Sequence, residues 1–463
     1  MFSIPGLCAL LFIVFVRPQE VIVDLQRVPI IEMCFGLALL GLVIDARLGH
    51  IRLRPAPQVP WAVAAFLWMM MTVVLTAVAR LVPAGVELVI LLGIFIVIAQ
   101  GVQSFRGLSI LVGTLLALAL ALAAVGIHQG MSARGCAMLD LSHRGDLSIG
   151  IPDGRSCENP LDCRGPGAEP GALYICERIG LLGTTSIGEG RIRYRGLLQD
   201  PNELALATSV ALAFAFLFAA RRRTRARRVL LVVATIMVAI CVVMTKSRGG
   251  QLAFIAVVGI SLARRIGRKR LVRLAIAAAP VVIIMLILGG RSGAEADEST
   301  ELRLLAWREG LRMVAQHPLF GVGQDHFTLY HGYTAHNSYV LSAAELGIPG
   351  FVMWSVMLYL AIKIPLAGVR RYSGVVGAEV ARDWGVAILA AMTGMLIGIF
   401  FLSMSYHALL WIYLALASAY HGACCAHDPR WRLRFGLRDL ALVVALDVAI
   451  LAGTWIFLRL KGV

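Results

Sequence analysis

Apolar and polar positions in this chain come in long blocks, not in short periods. Near-continuous runs of Leu, Val, Ile, Ala and Phe occupy residues 2–16, 28–44, 61–79, 83–100 and 107–126. In the second half, similar runs fill 203–220, 229–244, 271–289, 338–365, 384–402, 404–420 and 440–458, and a further span opens after a tight turn at 245–250. Most approach the roughly 20 residues that a helix needs to cross a hydrocarbon layer. Backbone groups in lipid must be satisfied within their own segment, so these blocks predict helices. The expected fold is all-α: a polytopic integral membrane protein of about 12–13 transmembrane helices, with two large hydrophilic loops.

Composition agrees with the block pattern. Of 463 residues, 59% are hydrophobic and 15% charged, with a mean hydropathy of +0.81. Soluble domains average about 45–50% apolar and about 25% charged. The first run has no basic segment before it and a second run follows at once, which predicts an uncleaved first span instead of a signal peptide. The net charge of +16 sits mainly in short connections. There it sets orientation and meets anionic membrane lipids, and no nucleic-acid partner is needed to explain it.

Arg47, Arg52 and Arg54, six arginines in 221–228 and six Lys or Arg in 264–273 mark the inner side. The N-terminus is then inside, and both 128–200 and 291–335 are outside. With 13 spans, Arg459 and Lys461 at the C-terminus also lie outside. The chain divides into N-terminal helices (1–127), an outer loop (128–200), central helices (201–290), an outer catalytic loop (291–337) and C-terminal helices (338–463).

Candidate chemistry gathers in the outer loops. Four of nine cysteines (Cys136, Cys157, Cys163 and Cys176) fall in 128–200 and predict two disulfides, in one of three pairings. Arg191, Arg193 and Arg195 alternate with Ile192 and Tyr194, so an extended segment would turn all three guanidinium forks one way, a geometry suited to phosphate. Asp200 and Pro201 form a cap and first residue for the next helix. Lys246 and Arg248 lie in a turn on the outer side, against the usual charge bias, which marks Arg248 as functional.

Thr300 is a candidate cap for a helix running to about residue 316. On it Glu301, Arg308 and Arg312 share a solvated stripe, while Arg303 falls with Trp307, Gly310 and Val314. A charge on that apolar face needs an anionic ligand or a carboxylate partner. Gly321 and Gly323 suit sharp turns back to the membrane, and Gly347, Pro349 and Gly350 predict a break in the helix that follows. Asn337 or Ser338 can cap that helix. His336 then stands just outside its N-terminus, where the dipole disfavours imidazolium and a neutral ring can take a proton. His317, His326 and His331 are nearby alternatives. His421, Cys424, Cys425 and His427 have metal-like spacing, but nothing else supports a metal there.

Three motifs occur in order: RGLLQDPNELA entering a span, TKSRGG opening another, and WREGLRM, HPLFGVG and HNSYVLSAAELGIPG closing the set. Over about 195–354 the chain resembles the O-antigen ligase and O-antigen polymerase superfamily. That resemblance implies metal-independent, inverting glycosyl transfer at the periplasmic face of a bacterial inner membrane, with no cofactor. The donor would be a glycan on undecaprenyl diphosphate. The acceptor is the lipid A–core in ligases and another lipid-linked repeat in polymerases.

The resemblance assigns His336 as the catalytic base and Arg195, Arg248 and Arg303 to the donor diphosphate, with Arg191, Arg193 and Asn337 in support. The cysteine-bearing loop is not a feature associated with the family core. Fixed arginines can stabilise a departing diphosphate without a metal. Neither an Asp-x-Asp motif nor a GxxxxGK[ST] loop points to a nucleotide sugar. O-antigen ligase is the first reading and an O-antigen or exopolysaccharide polymerase the alternative. A transporter of lipid-linked sugars is a lesser one, because no internal repeat is visible and the spans hold few charges.

Overall fold

A computed structural model describes residues 2–54, 56–139, 150–188, 190–221, 224–264, 270, 273, 279 and 294–463. The expected span at 271–289 falls almost wholly outside them. The described helices are α1 (Ser3–Val16), α2 (Ile30–Arg47), α3 (Val59–Thr76), α4 (Leu81–Gly101), α5 (Phe105–Met131), α6 (Pro201–Arg221), α7 (Arg225–Met244) and α8 (Arg248–Ala263). After the undescribed segment come α9 (Ala294–Gln316), α10 (Ser338–Tyr372), α11 (Glu379–Ile399), α12 (Ala408–His427) and α13 (Leu437–Lys461). Among the described residues, 10 helices are long and apolar enough to cross a membrane. The protein is an all-α, multi-pass membrane protein.

Burial sorts these helices. The membrane-length window of α12 is 89% buried and that of α6 83%, against 17% for α13. So α6 and α12 lie inside the bundle, and α13 turns most of its apolar surface outward. Helix α11 packs on α6, α8 and α10, while α4 covers α12. Several polar groups inside the bundle are paired, as hydrocarbon surroundings favour. Gln58 donates to the Met357 carbonyl and accepts from Ser418. Asp45 accepts from the backbone N–H of Phe2 and Ser3, fixing the start of α1 against the end of α2.

The segment between α5 and α6 is more ordered than its composition suggests. It carries a three-stranded antiparallel sheet in the order β2-β1-β3, with β1 Arg134–Leu139, β2 Gly150–Ser156 and β3 Tyr174–Arg178. Disulfides join Cys136 to Cys163 and Cys157 to Cys176. This small polar unit has little apolar core beyond its cysteines and Tyr174, so the crosslinks supply what packing does not.

Helix α10 breaks where expected. Gly347 has φ 66°, and a Cβ there would lie 2.2 Å from the Leu319 carbonyl oxygen. The gap admits the connection after α9. Ile348 N–H donates to Pro318, Val322 N–H to Ala344, and Gly323 N–H to Glu345. Gly321, at φ 65°, meets the Glu345 backbone so closely that no side chain fits. One expected boundary shifts: α9 begins at Ala294, so Thr300 lies within the helix and not at its cap. Ala294 and Ala296 are good helix formers, which lets the helix extend upstream.

Candidate functional site

The turn between α7 and α8 is built by its small residues. Ser247 caps α8 by accepting from Gly250 N–H. A Cβ on Gly250 would sit 2.3 Å from the Ala205 side chain, and one on Gly249 3.0 Å from Phe401. The two glycines therefore allow α8 to press against α6 and the 400–407 connection, which carries its cationic turn inward. Lys246 has φ 52°, an unfavourable conformation for a lysine that the surrounding packing must hold.

The start of α6 is equally fixed. Asp200 accepts from both the backbone and the side-chain amide of Asn202, at 2.7 Å each. The Asn202 carbonyl oxygen is thereby aimed at Arg191, whose Nη2 lies 3.4 Å away. Arg191 also donates through Nε to the Thr245 carbonyl at 3.0 Å, tying the α6 approach to the α7–α8 turn.

These pieces enclose a cavity of about 230 Å³. Its cationic wall is Arg191, Lys246, Arg248 and Arg303, with Asn202 and Thr300. Leu304, Trp307, Phe401 and Phe457 form its apolar side. No carboxylate belongs to the described lining. The N-terminus of α8 opens onto the cavity at Gly249, adding the positive end of a helix dipole. On α9, Ala306, Trp307 and Gly310 are buried while Glu301, Arg308 and Arg312 are exposed, matching the two faces expected from sequence.

The arginine triplet does not share one face. Only Arg191 reaches the cavity. Arg193 is 3% exposed and turns to Thr185, donating to its carbonyl and hydroxyl oxygens. Arg195 donates to the carbonyls of Glu20, Leu182 and Gly183. The extended alternation fails because ladder pairing stops at the Ile187–Arg191 bridge, leaving 192–195 irregular. Between them, the Tyr194 hydroxyl donates to the Val16 carbonyl at 2.8 Å. Burial raises the Tyr194 pKa, which keeps it a neutral donor there. Arg193 and Arg195 thus hold the loop that presents Arg191.

His336 stands beside the cavity and not in its lining. Its chain neighbour Ala335 is fully buried, and the Ala335 carbonyl accepts the Trp307 indole N–H at 2.9 Å. The His336 backbone N–H donates to Ser403 Oγ at 2.9 Å, and its φ is 45°. Asn337 caps α10, accepting from Tyr339 and Val340 N–H. The other histidines are placed differently. His317 is exposed, His326 is buried against the Val322 carbonyl, and His331 contacts Tyr333.

Sequence reasoning passed over Lys246 as a ligand and missed Asn202 and the pair Glu203–His407. His407 accepts from Leu409 N–H through Nδ1, and its Nε2 is 3.9 Å from Glu203, next to Asn202. Glu203 lies within the RGLLQDPNELA motif, but nothing in the sequence joins it to a residue about two hundred positions away.

Residues 233–355 match the family model described as O-antigen ligase. That region is similar to the O-antigen ligase superfamily. The match spans Lys246, Arg248, Arg303, Trp307 and His336, while Arg191 and Asn202 precede it and Phe401 and Phe457 follow it. No curated protein matches the chain. The match covers the α7–α8 turn, α9 and the start of α10, which carry much of the cavity wall.

Proposed function

We propose that the protein transfers a glycan from undecaprenyl diphosphate to an acceptor hydroxyl on the periplasmic face of the inner membrane, as an O-antigen ligase. The observation that carries this reading is one cavity joining four cationic side chains to an aromatic wall, with His336 beside it. Arg191, Lys246, Arg248 and Arg303 suit the diphosphate. Leu304, Trp307, Phe401 and Phe457 suit the first carbons of the polyprenyl chain.

In the proposed step, His336 takes the proton of the acceptor hydroxyl as that oxygen attacks the anomeric carbon. The bond from that carbon to the diphosphate oxygen breaks, and the anomeric centre inverts. The leaving diphosphate gains negative charge, which the fixed cations stabilise without a metal. General-base assistance is worth about 10²- to 10⁴-fold.

The test is transfer in proteoliposomes containing undecaprenyl-diphosphate glycan, with lipid A–core or a second lipid-linked repeat as acceptor. His336→Ala should lose transfer by about 10²-fold or more while still binding donor, and His331→Ala should change it little. Chelator should leave the rate unaltered. Near-wild-type transfer by His336→Ala would remove the base from the mechanism. Transfer only to the lipid-linked repeat would make the enzyme a polymerase.

A further inference from the structure

A second cavity, of about 380 Å³, lies between α9 and α13. Arg308 and Arg312 from α9 and Arg459 from α13 converge on it, with Leu311, Trp455 and Leu458 as its apolar part. The Arg459 guanidinium lies over the Trp455 ring, 5.1 Å from its centroid. Among the described side chains the carboxylate paired with these guanidinium groups is Glu309, at 3.5 Å from Arg308 and 3.7 Å from Arg312, and Val463, the last residue of the sequence, also borders the cavity. Three guanidinium groups against one loosely placed side-chain carboxylate and the carboxylate of Val463 still leave an excess of positive charge at the site. An interfacial anchor would need only the Trp–Arg pair at the end of α13. Three guanidinium groups from two helices on one cavity suit an anionic ligand.

The same two helices wall both cavities. Arg303 and Trp307 face the first, and Arg308 and Arg312 face the second. On α13, Phe457 closes the first, while Trp455, Leu458 and Arg459 border the second. Along α9, Arg312 is roughly 13 Å from Arg303 at 1.5 Å per residue. The outer surface of α13 is apolar, with Ile456 and Leu460 exposed, so the site stands where a lipid headgroup meets hydrocarbon.

We infer that the cavity at Arg308, Arg312 and Arg459 is a second lipid-phosphate subsite, which holds the phosphate of the acceptor lipid while the first cavity holds the donor diphosphate. The inference rests on the proposed transfer reaction. Two phosphate sites sharing a helix pair would bring two lipid-borne substrates to one histidine.

The experiment measures binding by the full chain in neutral detergent, by calorimetry and native mass spectrometry. The probes are farnesyl diphosphate and dihexanoyl phosphatidylglycerol. Wild type should take up two equivalents of farnesyl diphosphate. The triple variant Arg308→Ala/Arg312→Ala/Arg459→Ala should weaken one equivalent by at least about tenfold and keep the other. The retained equivalent also reports that this variant is folded. Arg248→Ala/Arg303→Ala should show the converse pattern. A single wild-type equivalent, insensitive to the triple variant, would overturn the subsite. Preference of that site for phosphatidylglycerol would overturn the acceptor assignment and make it a bulk-lipid contact. Failure of farnesyl diphosphate at the Arg248–Arg303 cavity alone would count against the donor reading and leave the second site standing.

Discussion

Trp307 touches both halves of the proposed machinery, so Trp307→Phe can separate them. Its ring lines the cationic cavity and stacks edge-on with Phe400 at 5.5 Å. Its indole N–H holds the Ala335 carbonyl at 2.9 Å, one residue before His336. Phenylalanine keeps most of the ring packing and removes only the donor. A buried carbonyl then loses its partner, at a cost of about 1–3 kcal/mol.

His336 already sits at φ 45°, so relaxation of this segment moves the histidine first. If that cost appears wholly as misplacement in the transition state, kcat falls by about 5- to 150-fold. The four cations are untouched, so donor affinity should stay within about threefold. Single-turnover transfer in proteoliposomes, run beside donor-binding titrations, measures both quantities. The double variant Trp307→Phe/His336→Ala should be no slower than His336→Ala, because both changes remove the same contribution. Wild-type kcat in Trp307→Phe, or an equal loss of donor affinity, would refute the coupling.

Three further outcomes are expected. Arg248→Lys keeps the charge but loses the planar fork, and should reduce kcat/KM by roughly tenfold or more; unchanged kinetics would tell against bidentate contact. Non-reducing peptide mapping should recover Cys136–Cys163 and Cys157–Cys176, and any other pairing would contradict the sheet. Gly347→Ala should lower the melting temperature by several degrees, since a positive φ costs about 1–2 kcal/mol before the Leu319 carbonyl is displaced. Gly36→Ala, with open space at its Cβ, should not, and equal loss in both would remove the steric explanation.

Features set by a few neighbouring residues could be read from the sequence. Hydropathy blocks give most helices because each span satisfies its own backbone. The two faces of α9 follow from its helical repeat, with Arg303 and Trp307 on one side and Glu301, Arg308 and Arg312 on the other. The caps at Asp200 and Asn337 and the break at Gly347 come from local conformational preference. Features that depend on distant partners were hidden. Arg193 and Arg195 turn away from Arg191 because backbone carbonyls at Thr185, Leu182, Gly183 and Glu20 claim them. The sheet at 134–178 is held by crosslinks between residues 27 and 19 positions apart, beyond the reach of a short periodicity. His407 meets Glu203 only because α6 and the start of α12 reach the same end of the bundle.

The cationic cavity has no single element of its own. Arg191 comes from a loop, Lys246 from a turn, Arg248 from the first residue of α8, and Arg303 from a helix outside the bundle core. Each is fixed by a feature that costs stability elsewhere. Lys246 and His336 both have positive φ, worth about 1–3 kcal/mol of strain apiece. Gly249, Gly250, Gly321 and Gly347 forgo side chains so that backbones can meet. Such costs persist only where the surrounding packing overdetermines the geometry. Here that packing is the buried group of α6, α10 and α11, on which α8 rests and which the lipid-facing α13 borders. A charged cavity at a membrane boundary needs rigid walls, because arginines free to move would turn to water or to lipid phosphates. The buried helices supply that rigidity, and the short motifs at their ends supply the charges.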